Sequence, residues 1–203
     1  MRKATRIAYI LIDEGKKARA HFQVWWALRN KALPKYYKSM SDLAYVDFFH
    51  ASNSGHCTLF MLSMAKIFDR DSRAGGMKAF KKALRKEGLK KTALKLNLAF
   101  KPQFEDVKKV IAIRNKFVVH TEYDITPLQE REINGLTPNQ WRALIDTTCH
   151  AINEASCELG ITNTIFVSDR AERATLNMLE TLANGAEKQS KVNQKLSRAS
   201  KAE

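Results

Sequence analysis

Apolar residues recur every three to four positions over most of the chain, with few breaks, and this pattern predicts a helical protein. From about Thr5 to Ala32, Ile7, Leu11, Ala18, Phe22, Trp25, Trp26 and Leu28 share one helical face, and Pro34 is expected to end the run. Paired indoles can stack on bases, but at this spacing they belong in a core. A second helix is predicted from Ser41-Asp42 through Leu43, Val46, Phe49, Leu59, Leu62, Ala65, Ile67 and Phe68, with Gly55 a weak point inside it. It stops in "FDRDSRAGG", residues 68–76, whose charges and paired glycines read as a turn.

A third, short helix from Met77 to Lys86 puts Met77, Phe80 and Leu84 on one face and crowds Lys78, Lys81, Lys82 and Arg85 onto another. Lys86, Lys90, Lys91 and Lys95 extend the charge, and Glu87 is the only acid from 77 to 95. Most charge runs are solvated faces, but one of a single sign also suits a phosphate or RNA funnel. "LKLNLAF" (94–100) alternates with period two and "ITNTIFV" (161–167) is rich in β-branched residues, so both read as loops or extended connections. A fourth long helix is predicted from Gln103 to His120. "TPNQW" (137–141) then opens another, with Thr137 as N-cap, Pro138 at the first position and Gln140 three after the cap. A last helix begins at Ser168-Asp169, and past Gly185 a polar basic tail carries Lys188, Lys191, Lys195, Arg198 and Lys201. The fold class is therefore all-α. It is an antiparallel bundle of about five helices over 1–185, with a short basic insertion and a basic tail over 186–203.

Composition narrows the function. The chain carries 35 basic and 21 acidic residues, a net charge of +14, which suggests a polyanionic partner, nucleic acid or an anionic membrane surface, without choosing between them. Hydrophobic content of 44% and charged content of 28% fit an ordinary soluble domain. Cys57, Cys149 and Cys157 form neither a disulfide framework nor a zinc spacing, so buried thiols in a reducing cytoplasm are expected. No stretch reaches membrane-spanning length and no metal cluster or cofactor loop is apparent, so neither membrane nor cofactor is expected.

"RNKFVVHTEYD" (114–124) is the part of the chain that looks chemical. It places Arg114 and Asn115 at the head of an apolar run that His120 interrupts. Arg114 and His120 are six residues apart, about 120° around an ideal helix, and cannot both enter one pocket from one straight helix. Either the helix ends near Val119 or a second copy completes the pocket. A structural use also exists: Arg114 paired with Asp69 or Asp106, and His120 favourable at a helix C-terminus.

Arg-polar-x4-His in an all-helical basic chain resembles the motif of HEPN domains, and with "AKIFDRD" (65–71) the chain is similar to their abortive-infection branch. The resemblance covers residues 1 to about 185. It implies a helical bundle that homodimerises and cleaves RNA without a metal, in phage defence or as a toxin with an antitoxin or regulator protein. It also admits a non-catalytic module binding RNA, nucleotide or protein. On the catalytic reading Arg114, Asn115 and His120 are the catalytic set. Lys116 joins Lys78, Lys81, Lys82 and Arg85 as RNA contacts, and Asp69 supports by orienting Arg114 or closing a turn.

Overall fold

In the computed structural model of the chain, residues 1–31, 33–71, 73–113, 135–162 and 168–199 are described, the side chains of 30, 31, 33, 113 and 186–199 excepted. Regular structure among them is entirely helical: α1 (Lys3–Trp26), a π-helical turn (Ala27–Lys31), α2 (Leu33–Met40), α3 (Val46–Ile67), α4 (Met77–Lys86), α5 (Lys90–Ala99), α6 (Phe104–Ile113), α7 (Pro138–Cys157) and α8 (Arg170–Ala199). The all-α class read from the periodicity holds. The chain is cut into more pieces than about five because Pro34, Gly76 and Gly88 each begin or end an element.

One compact unit comprises 1–22 and 57–168. Its centre is Phe60, fully buried and edge-on to both Phe22 (5.4 Å between ring centroids) and Trp141 (5.2 Å). Edge-to-face contacts set the negative ring face of one residue against the positive edge of another. Leu11, Met64, Ile67, Phe80, Leu84, Leu144 and Ile152 are also buried. α4 packs on α5, and both α5 and α6 pack on α7. The unit closes its helix ends carefully. Thr137 and Gln140 form a reciprocal capping box with Pro138 in the first turn of α7. Gly88 (φ +84°) and Gly160 (φ +76°) end α4 and α7 in left-handed conformation. In each case the next residue's N–H reaches back to the last turn, Leu89 to Leu84 O at 2.9 Å and Ile161 to Ser156 O at 3.0 Å. The carboxylate of Glu87, the one acid of the basic run, accepts from the Ala4 N–H at 2.9 Å and so caps the positive end of α1.

The other unit comprises 23–56 and 169–203. Leu28, Tyr36, Phe49 and Leu179 form its core, with Val24, Met40 and Leu176 packed against them. The Tyr36 hydroxyl donates to Glu180 Oε2, which also accepts from Lys35 Nζ at 2.8 Å, pinning α2 to α8. These bonds, the Lys35 one first, hold the Glu180 carboxyl below its ordinary value. Trp25 is buried, as its spacing predicts.

Several expectations need correction. "LKLNLAF" is not a loop: residues 94–99 lie in α5. Thr92, Ala93 and Leu96 are its buried face, whereas Leu94 and Leu98, each 57% exposed, are exposed leucines that mimic strand alternation. Pro34 does not merely end the first helical run. It sits in the first turn of α2, where its missing N–H costs nothing. α3 begins at Val46 rather than Ser41, because Asp42 makes a turn by accepting from the Ala44 N–H at 2.9 Å, and Leu43 is exposed. α3 runs through Gly55 without interruption. α8 continues past Gly185 to Ala199, so helical backbone carries much of the stretch read as a tail. Most of 161–167 (residues 163–167) lies outside the described residues.

Candidate nucleic-acid interface

α4 sorts its residues by face. Met77, Ala79, Phe80, Ala83 and Leu84 are buried, while Lys78, Lys82, Arg85 and Lys86 are exposed and Lys81 is half-buried between them. The helix starts where it does because Gly76 admits a close backbone crossing. A Cβ there would lie 3.0 Å from Asp69 O and 3.1 Å from the carbonyl oxygens of Ile67 and Lys66. The loop before it is a pair of side-chain turns. Asp69 Oδ1 accepts from the Asp71 N–H at 2.9 Å, and Asp71 Oδ1 accepts from the Arg73 N–H at 2.8 Å.

This packing opens a cleft of about 590 Å³ whose walls are the loop after α3, α4, the end of α5 and α6. Arg70, Lys78, Lys81 and Lys101 bring four cations to it, and Asn97 is its remaining polar residue. The apolar lining is Phe68, Met77, Phe100, Val107 and Ile111, with Phe104 exposed at 56%. Phe68 and Phe100 meet edge-on at 5.3 Å. No carboxylate is among the described residues lining the cleft. Lys81 Nζ donates to Asn97 Oδ1 at 2.7 Å. Burial, with Arg85 as second cause, holds its ammonium below the ordinary lysine value of 10.5. An anion placed there relieves both penalties. Cations over apolar and aromatic surface are what a flexible polyanion with stackable bases requires.

Of the predicted contacts, Lys78 and Lys81 line this cleft. Lys82 and Arg85 stand exposed on α4 outside its lining. Asp69 is not among its lining residues; it lines a small pocket of about 170 Å³ with Glu14 and Lys66, and its carboxylate closes the turn that carries Arg70. Arg114, Asn115, Lys116 and His120 lie outside the described residues. Residue reading passed over Arg70, Asn97, Lys101 and Phe104 as contacts. Arg70 lay in plain sight within "FDRD", whereas Asn97 was hidden by reading 94–100 as a loop.

A second cleft, of about 250 Å³ between α5 and α7, mixes Lys95 with Glu154 and Glu158 and so lacks a field of one sign. Among the described residues no group of three or more His, Cys, Asp or Glu is disposed to hold a metal. No described helix is long and apolar enough to cross a membrane.

The HEPN family model described as AbiU2 matches residues 5–178. No curated protein and no solved structure gives a significant match.

Proposed function

The chain belongs to the HEPN AbiU2 family, an abortive-infection-related group of HEPN modules, and from that premise we propose that it is a metal-independent RNA endonuclease. The observation that carries the reading is the cationic, aromatic cleft: one of its walls is α6, and the residue that follows α6 in the chain is Arg114. RNA held in the cleft therefore lies against the helix that leads into the arginine–asparagine–histidine segment.

The chemistry suits those residue types. Cleavage needs a proton removed from a 2′-hydroxyl, attack of that oxygen on phosphorus, and a proton delivered to the departing 5′-oxygen. Imidazole titrates near neutrality, so His120 serves as base or acid. Arg114, a permanent cation with a planar donor fork, stabilises the charge gathering on the phosphoryl oxygens. Asn115 orients the histidine or the phosphate. A homodimer with a two-fold axis supplies two histidines and two arginines to one cleft, one as base and one as acid. The products carry a 2′,3′-cyclic phosphate and a 5′-hydroxyl. In the cell the activity is that of a phage-defence effector or toxin held by an antitoxin or regulator.

The test is cleavage of total RNA by purified protein in EDTA, with end-group analysis. His120→Ala and Arg114→Ala should each lose about a hundredfold or more in rate, and Arg114→Lys should regain little. Expression of the active protein should slow growth, and His120→Ala should relieve it. Equal cleavage by wild type and His120→Ala would mark the activity as a contaminant. RNA binding without cleavage by either would make the chain a binding module.

A further inference from the structure

We propose that the outer face of α5, formed by Lys91, Leu94, Lys95 and Leu98, docks on an anionic lipid surface, its leucines among the upper acyl chains and its lysines against the headgroups. The inference stands apart from the endonuclease reading and uses none of the residues assigned to it.

α5 carries its apolar bulk on the wrong side for a helix that only packs. It buries Thr92, Ala93 and Leu96, and leaves Leu94 and Leu98, two of its three leucines, each 57% exposed. Single exposed leucines are ordinary on a protein surface. These two stand at i and i+4, about 6 Å apart along one face, and so form an apolar ridge. Lys91 and Lys95, both exposed, flank it, and all four residues fall within an arc of about 100°. Residues 88–104 contain four lysines and no acid. Glu158 of α7 reaches Lys95 at 3.7 Å, but the contact is long and both side chains are exposed, so it contributes little.

The residue types on this face select the partner. A strand of RNA needs rings on which its bases can stack, and α5 has no aromatic residue. Protein interfaces take their energy from buried tyrosine, tryptophan and arginine and are poor in lysine. Lysine beside leucine is the composition of helices that lie in the headgroup region, where the lysine stem runs along hydrocarbon and the ammonium stays at the phosphates. Charge complementarity points the same way, since the negative potential of an anionic leaflet attracts each lysine held near it. No described helix is long and apolar enough to cross a bilayer, which bears on spanning and not on lying against the surface.

The experiment is cosedimentation of the full chain with vesicles, either phosphatidylglycerol and phosphatidylcholine in equal parts or phosphatidylcholine alone, at about 0.15 M salt. The mixed vesicles should bind the protein and the neutral ones should not. Leu94→Gln with Leu98→Gln should weaken binding roughly tenfold, and Lys91→Gln with Lys95→Gln roughly thirtyfold. Circular dichroism checks that each variant stays folded. Leu98→Trp should bind as wild type does and lose more fluorescence than wild type in vesicles with brominated acyl chains. Binding undiminished by loss of both leucines, or no quenching of Leu98→Trp beyond that of wild type, means that charge alone holds the protein and overturns the inference. Failure to bind the mixed vesicles overturns it too, and capture of an acidic soluble protein through Leu94 and Leu98 in that case assigns the face to a protein partner. No RNA enters the test, so it succeeds or fails independently of the endonuclease reading.

Discussion

Cys149 and Cys157 lie on the same helix, α7, yet meet opposite surroundings. Cys149 is 2% exposed with its thiol donating to Gly15 O at 3.7 Å, whereas Cys157 is exposed. Burial pushes the Cys149 thiol from an ordinary 9.0 up to about 12. A disulfide reagent at mild pH should therefore modify Cys157 promptly and Cys149 only after denaturation. The same group makes stability depend on alkali. Its folded value is raised, so between about 9 and about 12 the folded protein holds a proton that the unfolded chain releases. Stability from this group is full below 9 and falls as pH rises through that window. The urea midpoint should drop over this range in wild type and drop less steeply in Cys149→Ala, even though the variant starts lower.

Two glycines put helix physics to a test of opposite signs. Gly55 lies inside α3 with nothing within 4 Å of where a Cβ would stand. Gly55→Ala should therefore raise stability by about 0.5–1 kcal/mol. Gly88 is equally uncrowded but sits at φ +84°, so Gly88→Ala should lower stability by about 1–2 kcal/mol. Chemical denaturation of both variants settles each sign. The elements also show which features can be read from a chain alone. The start of α7 was legible because Thr137, Pro138 and Gln140 write a cap within four residues. α5 was not, since Leu94 and Leu98 are exposed leucines and period two is how such residues disguise a helix. The cleft was half legible. Lys78 and Lys81 announce themselves by charge, but no local pattern says that Arg70 and Phe104, from separate segments, will face the same space. That convergence is made by tertiary packing. The residues from Arg114 to His120 were read from a motif alone.

At the scale of the whole molecule, a net charge of +14 makes affinity for a polyanion a function of salt. For a single strand, log affinity against log salt should be linear, its slope shrinking by about 0.7 for each phosphate no longer neutralised. Lys78→Ala and Lys81→Ala, from the cleft, should flatten that slope, with the chemical step largely spared. Assembly belongs to this scale too. The proposed shared site draws Arg114 and His120 from two copies of the chain, so sedimentation at micromolar concentration should find a dimer. A monomer that cleaves RNA at full rate would refute the shared site.

The bond from the Ala4 N–H to Glu87 has a consequence that is kinetic. Glu87 is the only carboxylate between 77 and 95, and it is spent on the first turn of α1. The outward field of Lys78, Lys82, Arg85 and Lys86 is left without an opposing partner in its own segment. If RNA is the ligand, as proposed above, an incoming strand should be drawn along the field before any contact forms, and the encounter rate, not the residence time, should carry most of the ionic-strength dependence. Stopped-flow mixing at rising salt should show association slowing steeply while dissociation changes little. Reversing a charge next to Glu87, as in Lys86→Glu, should slow capture at low salt without touching the cleft.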